Sequence, residues 1–560
     1  MKKKNTTITP IGEIQGSGLW SDLAGREVTV QGVVTGVIRR GFFVQSVVSS
    51  DDPLVSDAIF VFSPKWKAIT GELVNVSGKV LDFFRQDNGK PVTQIKLTNV
   101  KVVKRRGPVI KPFELTADNV PVDPDELAIF LNGLEGMLVS INKGQTFISP
   151  SNLFGDYVLI LDADKPVEGV LRSAQGGVLI DHNNPQRWYP GFRMTDYDSA
   201  PCLNVGSKLK SRVVGPLNYR VESYQIAVNH TIKVEPSHFE LNKTRLSPKA
   251  GFITIMTLNG FNLDTHIESR SRVKNPGRDI DDDLGDGRFQ TLAEAVVLQA
   301  NVPDIIALQE IQDNDGAEMS MVVDASLTYE ALIKEIKQLS GVGYRWVDIV
   351  PGVGTDGGQP GGSIRNGYLY NPAAVELIKS SVRSIGVDEP AFEGSRKPLV
   401  AHFKDKVSGK ELACFNVHLA SKRHQHGIFA PELAGQDARL PIRVRQAMVI
   451  RDELNTLRQQ GLDFYVTGDF NDTEKSKTLT ALVGDENVNL VDKLAPEQRF
   501  DYNHRGKLQV LMHGIVSMGM AERRAEYDII HGNELLGVKP GQPSDKPSDH
   551  AYVIARIKMP

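Results

Sequence analysis

From Phe252 onward the chain repeats one alternation: a short apolar strand run, then a longer stretch with apolar residues at helical spacing. FITIMTLNGFNL, PDIIALQEI, ELACFNVHLAS and LDFYVTGDFND read as strands, and RFQTLAEAVVLQANV, LTYEALIKEIKQLSG and RVRQAMVIRDELNTLRQQG read as amphipathic helices. AEYDIIHG and AYVIARIKM add two closing strands. Such alternation predicts an α/β domain with helices packed on sheet faces.

The rest of the chain has a different texture. With 560 residues, one core does not suffice, and two to four domains are expected. REVTVQGVVTG, GFFVQS, DAIFVFS, GELVNVSGKV and TQIKLTNVKVVK are short β-branched runs broken by Gly and Asp turns. They predict a small five-stranded barrel, OB-like, with Gly32 and Gly78 at bends. KRRGPVIKP closes it, giving a first domain over residues 1–111. A second, less regular β-rich domain is expected over 112–235, a polar linker over 236–250, and the α/β domain over 251–560. The barrel segment carries 17 Lys/Arg against 9 Asp/Glu in a chain of net charge −3. That asymmetry fits a polyanion-binding module or a solvated basic face equally well. Phe42 and Phe43, beside Arg39 and Arg40, offer a base-stacking surface, although such pairs more often send one ring inside.

Other classes are excluded or left open. Two cysteines, Cys202 and Cys414, rule out a disulfide framework and read as small buried hydrophobes. No run approaches the length of a transmembrane helix. MKKKNTTITP begins like an export signal but lacks the apolar stretch that should follow, so no signal peptide is visible.

In the C-terminal half the polar residues fall in a telling place. Asn259, Glu310, Asn416, His418, Asp469 and Asn471 stand at or just past the ends of apolar strands. One such residue is usually an edge or turn group. Four strands ending this way point to convergence, because layered α/β folds collect ligands at one end of their strands. The residue types suit phosphodiester hydrolysis, which needs a hard cation held by carboxylate and amide oxygens and proton transfer by histidine. No GxSxG, P-loop or HExxH motif is present.

Five segments in order, TLNGFNL, PDIIALQE, NVHLASK, GDFND and PSDHAYVIAR, resemble the endonuclease/exonuclease/phosphatase superfamily of DNase I-like enzymes. The resemblance implies a four-layer α/β sandwich. It implies Mg²⁺ or Mn²⁺ held by Glu310 with Asn259 and Asp549. It makes Asp469 and His550 the groups that orient and deprotonate water, Asn471 a donor to the developing oxyanion, and His418 an acid or phosphorane-stabilising group. Further segments, among them IDDDLGDGRF, QDNDGAE and GGQPGGSIRNGYLYNP, look like bacterial extracellular nucleases. That likeness implies secretion, an OB-like domain ahead of the nuclease, and substrate contacts from Arg365 and Asn416; a surface arginine is the alternative for Arg365. DNA is the implied partner, with RNA second, and no obligate protein partner is evident. Another phosphoester, of a lipid or an inositol, is the rival substrate, and a weakly active nucleic-acid-binding protein the rival class. RDIDDDLGDG reads first as a solvated acidic loop and second as a structural Ca²⁺ site, since it lacks EF-hand spacing. Where relatives have Leu-Asp-His, VLMHGIVS places Met512, so the aspartate that orients the catalytic base is missing; Asp528 is the nearest substitute in sequence.

Overall fold

The computed structural model describes all residues except 1–6, 51, 85–89, 221, 423–436, 524, 543 and 545. The basic start of MKKKNTTITP therefore lies outside the described residues. Strands β1 (Glu27–Ile38), β2 (Gly41–Gln45), β3 (Ala58–Phe62), β4 (Leu73–Phe83) and β5 (Val92–Lys104) close a barrel in the order β1-β2-β3-β5-β4. Two glycines permit the closure. A Cβ at Gly32 would stand 2.5 Å from the Gln45 carbonyl, and one at Gly78, where the β4–β5 register shifts, 2.2 Å from that of Lys96. Phe42 and Phe43 are both buried, Phe42 against Trp66 inside the barrel and Phe43 against Phe60. The base-stacking surface expected of that pair is not there, because neither ring is exposed.

Short strands between Phe113 and Glu235 form one nine-stranded sheet over its own apolar core. The barrel docks on it through Gln45, whose side-chain oxygen accepts from the Leu138 amide at 2.8 Å, and through the Lys90–Glu135 ion pair at 2.5 Å. The sheet region also reaches the C-terminal half. Val178–Leu179 pairs in parallel with Lys507–Leu508, completing a small sheet with Tyr502–His504.

The C-terminal half contains two six-stranded sheets. The first uses β6 (Phe252–Leu263), β7 (Ile305–Ile311), β8 (Arg345–Asp348), β9 (Arg365–Tyr370), β16 (Ala525–Ile530) and β17 (Tyr552–Lys558), in the order β8-β9-β7-β6-β17-β16. The second uses β10 (Val375–Ser384), β11 (Leu399–Asp405), β12 (Glu411–His418), β13 (Asp463–Asp469), β14 (Asn487–Asn489) and β15 (Met512–Ser517), in the order β10-β11-β12-β13-β15-β14. Residue alternation sorts each strand's side chains between two cores. Ile253, Ile255, Ala307, Cys414 and Tyr465 share the core between the sheets. Met256, Leu258 and Leu308 face helices α1 (Arg288–Glu294) and α2 (Ser326–Ser340). Phe415, Val417 and Val466 face α3 (Leu440–Gln459) and α4 (Lys477–Val483). The result is four layers: helices, sheet, sheet, helices. Each buried Leu, Ile or Val contributes about 1.5–3 kcal/mol of transfer free energy, which is why both sheet faces must be covered. Cys414 lies in the core, but Cys202 is exposed, contrary to its apolar sequence surroundings. Among the described residues, no helix is long and apolar enough to cross a membrane.

Candidate active site

Strand alternation carries side chains from the inter-sheet core directly into one cleft. On β6 the inner face runs Ile253, Ile255, Thr257, Asn259; on β12 it runs Leu412, Cys414, Asn416, His418; on β13 it runs Tyr465, Thr467, Asp469. The hydroxyls of Thr257 and Thr467 meet at 2.5 Å between the sheets, fixing their separation one step below the cleft. Parallel pairing places His418 opposite Asp469. Glu310 breaks the alternation of β7. Its φ of 54° is left-handed, the β6–β7 register shifts beside it, and its carboxylate thereby joins the inner face. Asn471 also has a positive φ, 51°, and this turn brings its backbone N–H to Asp469 Oδ1 at 2.8 Å.

The groups converge at ion-pair distances. His418 Nε2 stands 3.5 Å from Asp469 Oδ2 and 3.7 Å from Glu310 Oε1, and His550 Nε2 stands 3.8 Å from Asp469 Oδ2 and 4.0 Å from Asp549 Oδ1. Asn259 donates from Nδ2 to Glu310 Oε1 at 3.2 Å, while its own oxygen accepts from the Phe261 amide. On the far side of His550, Nδ1 is 2.6 Å from Asp501 Oδ2. Tyr502 stacks on the same imidazole, ring centroids 4.9 Å apart. Burial raises the carboxyls of Glu310 and Asp469 above their usual range, Glu310 further through the negative charge of Asp549. Burial, with the positive charge of Arg396, lowers His418, which is therefore neutral. Burial also disfavours imidazolium at His550, but Asp549, Asp501 and Asp469 outweigh it and push that group up to about 10.

Cation binding fits this donor set. Ligand atoms of Glu310, His418 and Asp469 all lie within 4.8 Å of one another. Oxygen-rich sites of this kind suit Mg²⁺ or Mn²⁺.

Five sequence expectations need correction. Asp528 does not orient His550: its neighbours Tyr527 and Ile529 face the inter-sheet core, so Asp528 points to the opposite face and accepts from Thr244 Oγ1 at 2.6 Å. Asn416 does not reach substrate, because its amide is wholly buried between the Leu308 and Gly367 carbonyls and the Gln309 side chain. Arg365 is 2% exposed and pairs with Asp348 at 3.2 Å, away from the cleft. Asn471 directs its side-chain N–H groups at Leu419 O and Asp469 Oδ2, which makes it an orienting group for Asp469. Met512 lies in the inter-sheet core opposite Asp469 and leaves no gap in the site, since Asp501 supplies the carboxylate.

Three contributors escaped the sequence. Asp501 lies in a turn with no strand run ahead of it, so nothing in its surroundings marks it. Arg396 is nearly buried, donates to Leu419 O, and has an unpartnered Nε; its charge is felt by both Glu310 and Asp469. A basic residue just ahead of the strand LVAHFKD is the one trace it leaves. The third is the middle region: His182 reaches Glu474 at 3.2 Å, and the Pro185 carbonyl accepts from Lys507 Nζ at 2.6 Å, so loop 181–190 packs against the C-terminal half.

A protein-family profile described as a domain of unknown function (DUF8508) matches residues 100–237. No curated protein matches the chain. Among solved structures, the chain is similar to D. rerio TDP2 humanized by 14 mutations, at 16% identity and a TM-score of 0.35 over 55% of this chain and 99% of that one. It is similar to an endonuclease/exonuclease/phosphatase family protein from Bacteroides thetaiotaomicron at 17% identity and a TM-score of 0.34, covering 55% and 98%. It is also similar to the human Nocturnin catalytic domain with bound sulfate at 14% identity and a TM-score of 0.35, covering 55% and 95%. With its two facing six-stranded sheets and outer helices, the C-terminal half is a four-layer α/β sandwich.

Proposed function

We propose that the C-terminal half hydrolyses phosphodiester bonds of nucleic acid, DNA first, with Mg²⁺ or Mn²⁺. The observation that carries this reading is the convergence of Glu310, His418, Asp469 and His550 at one cleft, with Asp501 behind His550. Glu310, Asp549 and Asp469 would hold a divalent cation, which would supply positive charge at the phosphate and offset the carboxylates that otherwise keep His550 protonated. Water held between Asp469 Oδ2 and His550 Nε2 gives its proton to that pair. Asp501 compensates the charge that develops on the imidazole and fixes its tautomer. His418 is neutral, and its Nε2 side faces the cleft, so Nε2–H is placed to donate to a phosphate oxygen. Asn259 and Asn471 hold Glu310 and Asp469 in position.

A polymeric polyanion is favoured over a small phosphoester by the rim. Lys422, Arg505 and Lys507 surround His504, two residues past the Tyr502 ring that stacks on His550. Such a group raises local substrate concentration and makes binding fall with salt. The reading is tested by incubating the full chain with supercoiled plasmid and Mg²⁺. Relaxation and degradation that stop in excess chelator are expected, and an intact plasmid under both conditions would remove the proposal.

A further inference from the structure

A second carboxylate cluster lies outside the cleft, on the loop that leaves β6, against the loop that leaves β7. Ligand oxygens of Asp264, Glu268 and Asp281 lie within 4.8 Å of one another, and Asp264 and Glu268 are 1% and 5% exposed. Burying like charges this closely is costly unless something compensates them. Among the described residues, neither Asp264 nor Glu268 forms an ion pair. Arg288, the nearby cation, is committed to Asp283 and to the carbonyls of Gly260 and Phe261, and approaches Asp281 only at 4.0 Å. Asp264 Oδ1 accepts from the His266 amide, but Oδ2 is buried with no partner at all. That orphaned oxygen and Glu268 Oε1 converge on the space beside Gly316, where a Cβ would stand 2.9 Å and 2.5 Å from them. Gly316 has a φ of 61°, and its missing side chain keeps the space open.

We propose that Asp264, Glu268 and Asp281 form a second divalent-cation site, suited to Ca²⁺. The donors are oxygens only, which selects a hard cation and excludes thiolate and imidazole metals. Without the ion the cluster is frustrated: burial, then Glu268, Asp283 and Asp281, push Asp264 up to about 9. Of the acidic run 278–287 only Asp281 takes part; Asp283 belongs to Arg288, and Asp282 accepts from the Gly285 amide. The site is structural and bears on the cleft at one remove. Asp264 directly follows β6, which carries Asn259, and Glu268 Oε1 accepts from the Ala317 amide in the loop after β7, which carries Glu310. An ion here pins both strand ends whose side chains meet at 3.2 Å in the cleft.

The test uses chelator-stripped full-length protein, Ca²⁺ alone, and two readouts, bound ion by calorimetry and Tm. Wild type and Glu310→Gln should both bind Ca²⁺ saturably and gain roughly 5 °C in Tm at ~100-fold excess over Kd. Asp264→Asn should lose that increment and one bound ion, yet melt in chelator no lower than wild type, because the ion-free site already disfavours a charge at this position. Should Asp264→Asn fail to fold, Asp281→Asn, at the part-exposed position, should weaken Ca²⁺ at least tenfold. Wild type and Glu310→Gln that bind no Ca²⁺ at millimolar concentration overturn the site, as do folded variants that bind like wild type. Because Glu310→Gln disables only the cleft, Ca²⁺ binding by that variant separates failure of this site from failure of the cleft.

Discussion

Asp501 presents Oδ2 to His550 Nδ1 at 2.6 Å, while its other oxygen accepts the amide N–H of Met512 at 3.1 Å. The residue that displaced the expected aspartate thus helps, through its backbone, to hold the carboxylate that does the work. Replacing Asp501 with Asn should lower kcat on DNA by about 10²- to 10⁴-fold with little change in KM, since the imidazolium loses its partner while binding groups remain. Asp528→Asn should stay within about twofold, the ordinary range for a group that only meets Thr244. The reverse pattern in steady-state kinetics would place the orienting carboxylate on Asp528 after all.

Met512→Asp should not raise the rate. It places a carboxylate in the inter-sheet core beside Asp469, at a cost of several kcal/mol, about 3 or more for an unpaired buried charge. Met512→Leu should cost less than about 1.5 kcal/mol and keep activity. Chemical denaturation separates the two; a stable and faster Met512→Asp enzyme would contradict the assignment of Asp501.

Arg396→Met should lower kcat/KM on DNA by about 10²-fold, the usual loss for one charged donor at a phosphoryl site. Arg365→Met should instead act on stability, by about 3–5 kcal/mol, because it leaves Asp348 buried without its cation. Kinetics on the folded fraction of each variant decide the matter. Comparable kinetic damage from Arg365→Met would return that residue to the substrate.

Much of the cleft was legible because strand alternation is legible. Asn259, His418 and Asp469 each end an inner-face series that can be counted along the sequence, and the two-layer cores follow from the same count. That count also warns where reading fails. Asp528 is well placed by distance along the chain, yet one step of pleat sends it to the outer face. Asn416 sits on the correct face but one step too deep. Asp501 and Arg396 come from irregular segments, where position depends on tertiary contacts that no period reports. Asp264, Glu268 and Asp281 are spread over 18 positions of the irregular segment between β6 and α1, where no period reports which side chains meet.

Folding stability should fall with acid partly through His513. This imidazole is fully buried and neutral, donating from Nε2 to the Asp472 carbonyl and accepting at Nδ1 from Asn489. Burial first of all holds its pKa below the ordinary 6.5. The unfolded chain therefore binds the proton more readily, so the contribution is fully present above about pH 6.5 and is lost as pH drops below it. In His513→Gln, unfolding free energy should be lower at pH 7 and should decline less between pH 7 and 5 than in wild type. Equal slopes for the two proteins would mean that His513 is not the titrating group.

On the proposed mechanism one cleft, built from the strand ends of both sheets, performs cation-dependent phosphodiester cleavage with Asp469 and His550 handling the water. Single-turnover cleavage of a labelled DNA duplex in Mg²⁺, run side by side for wild type, Asp469→Asn and His550→Ala, tests it most directly. Wild type should cleave only with the cation present, and each variant should be slower by at least about 10²-fold while still binding the duplex. Near-native rates from both variants, or wild-type cleavage undiminished in chelator, would show that the chemistry lies elsewhere.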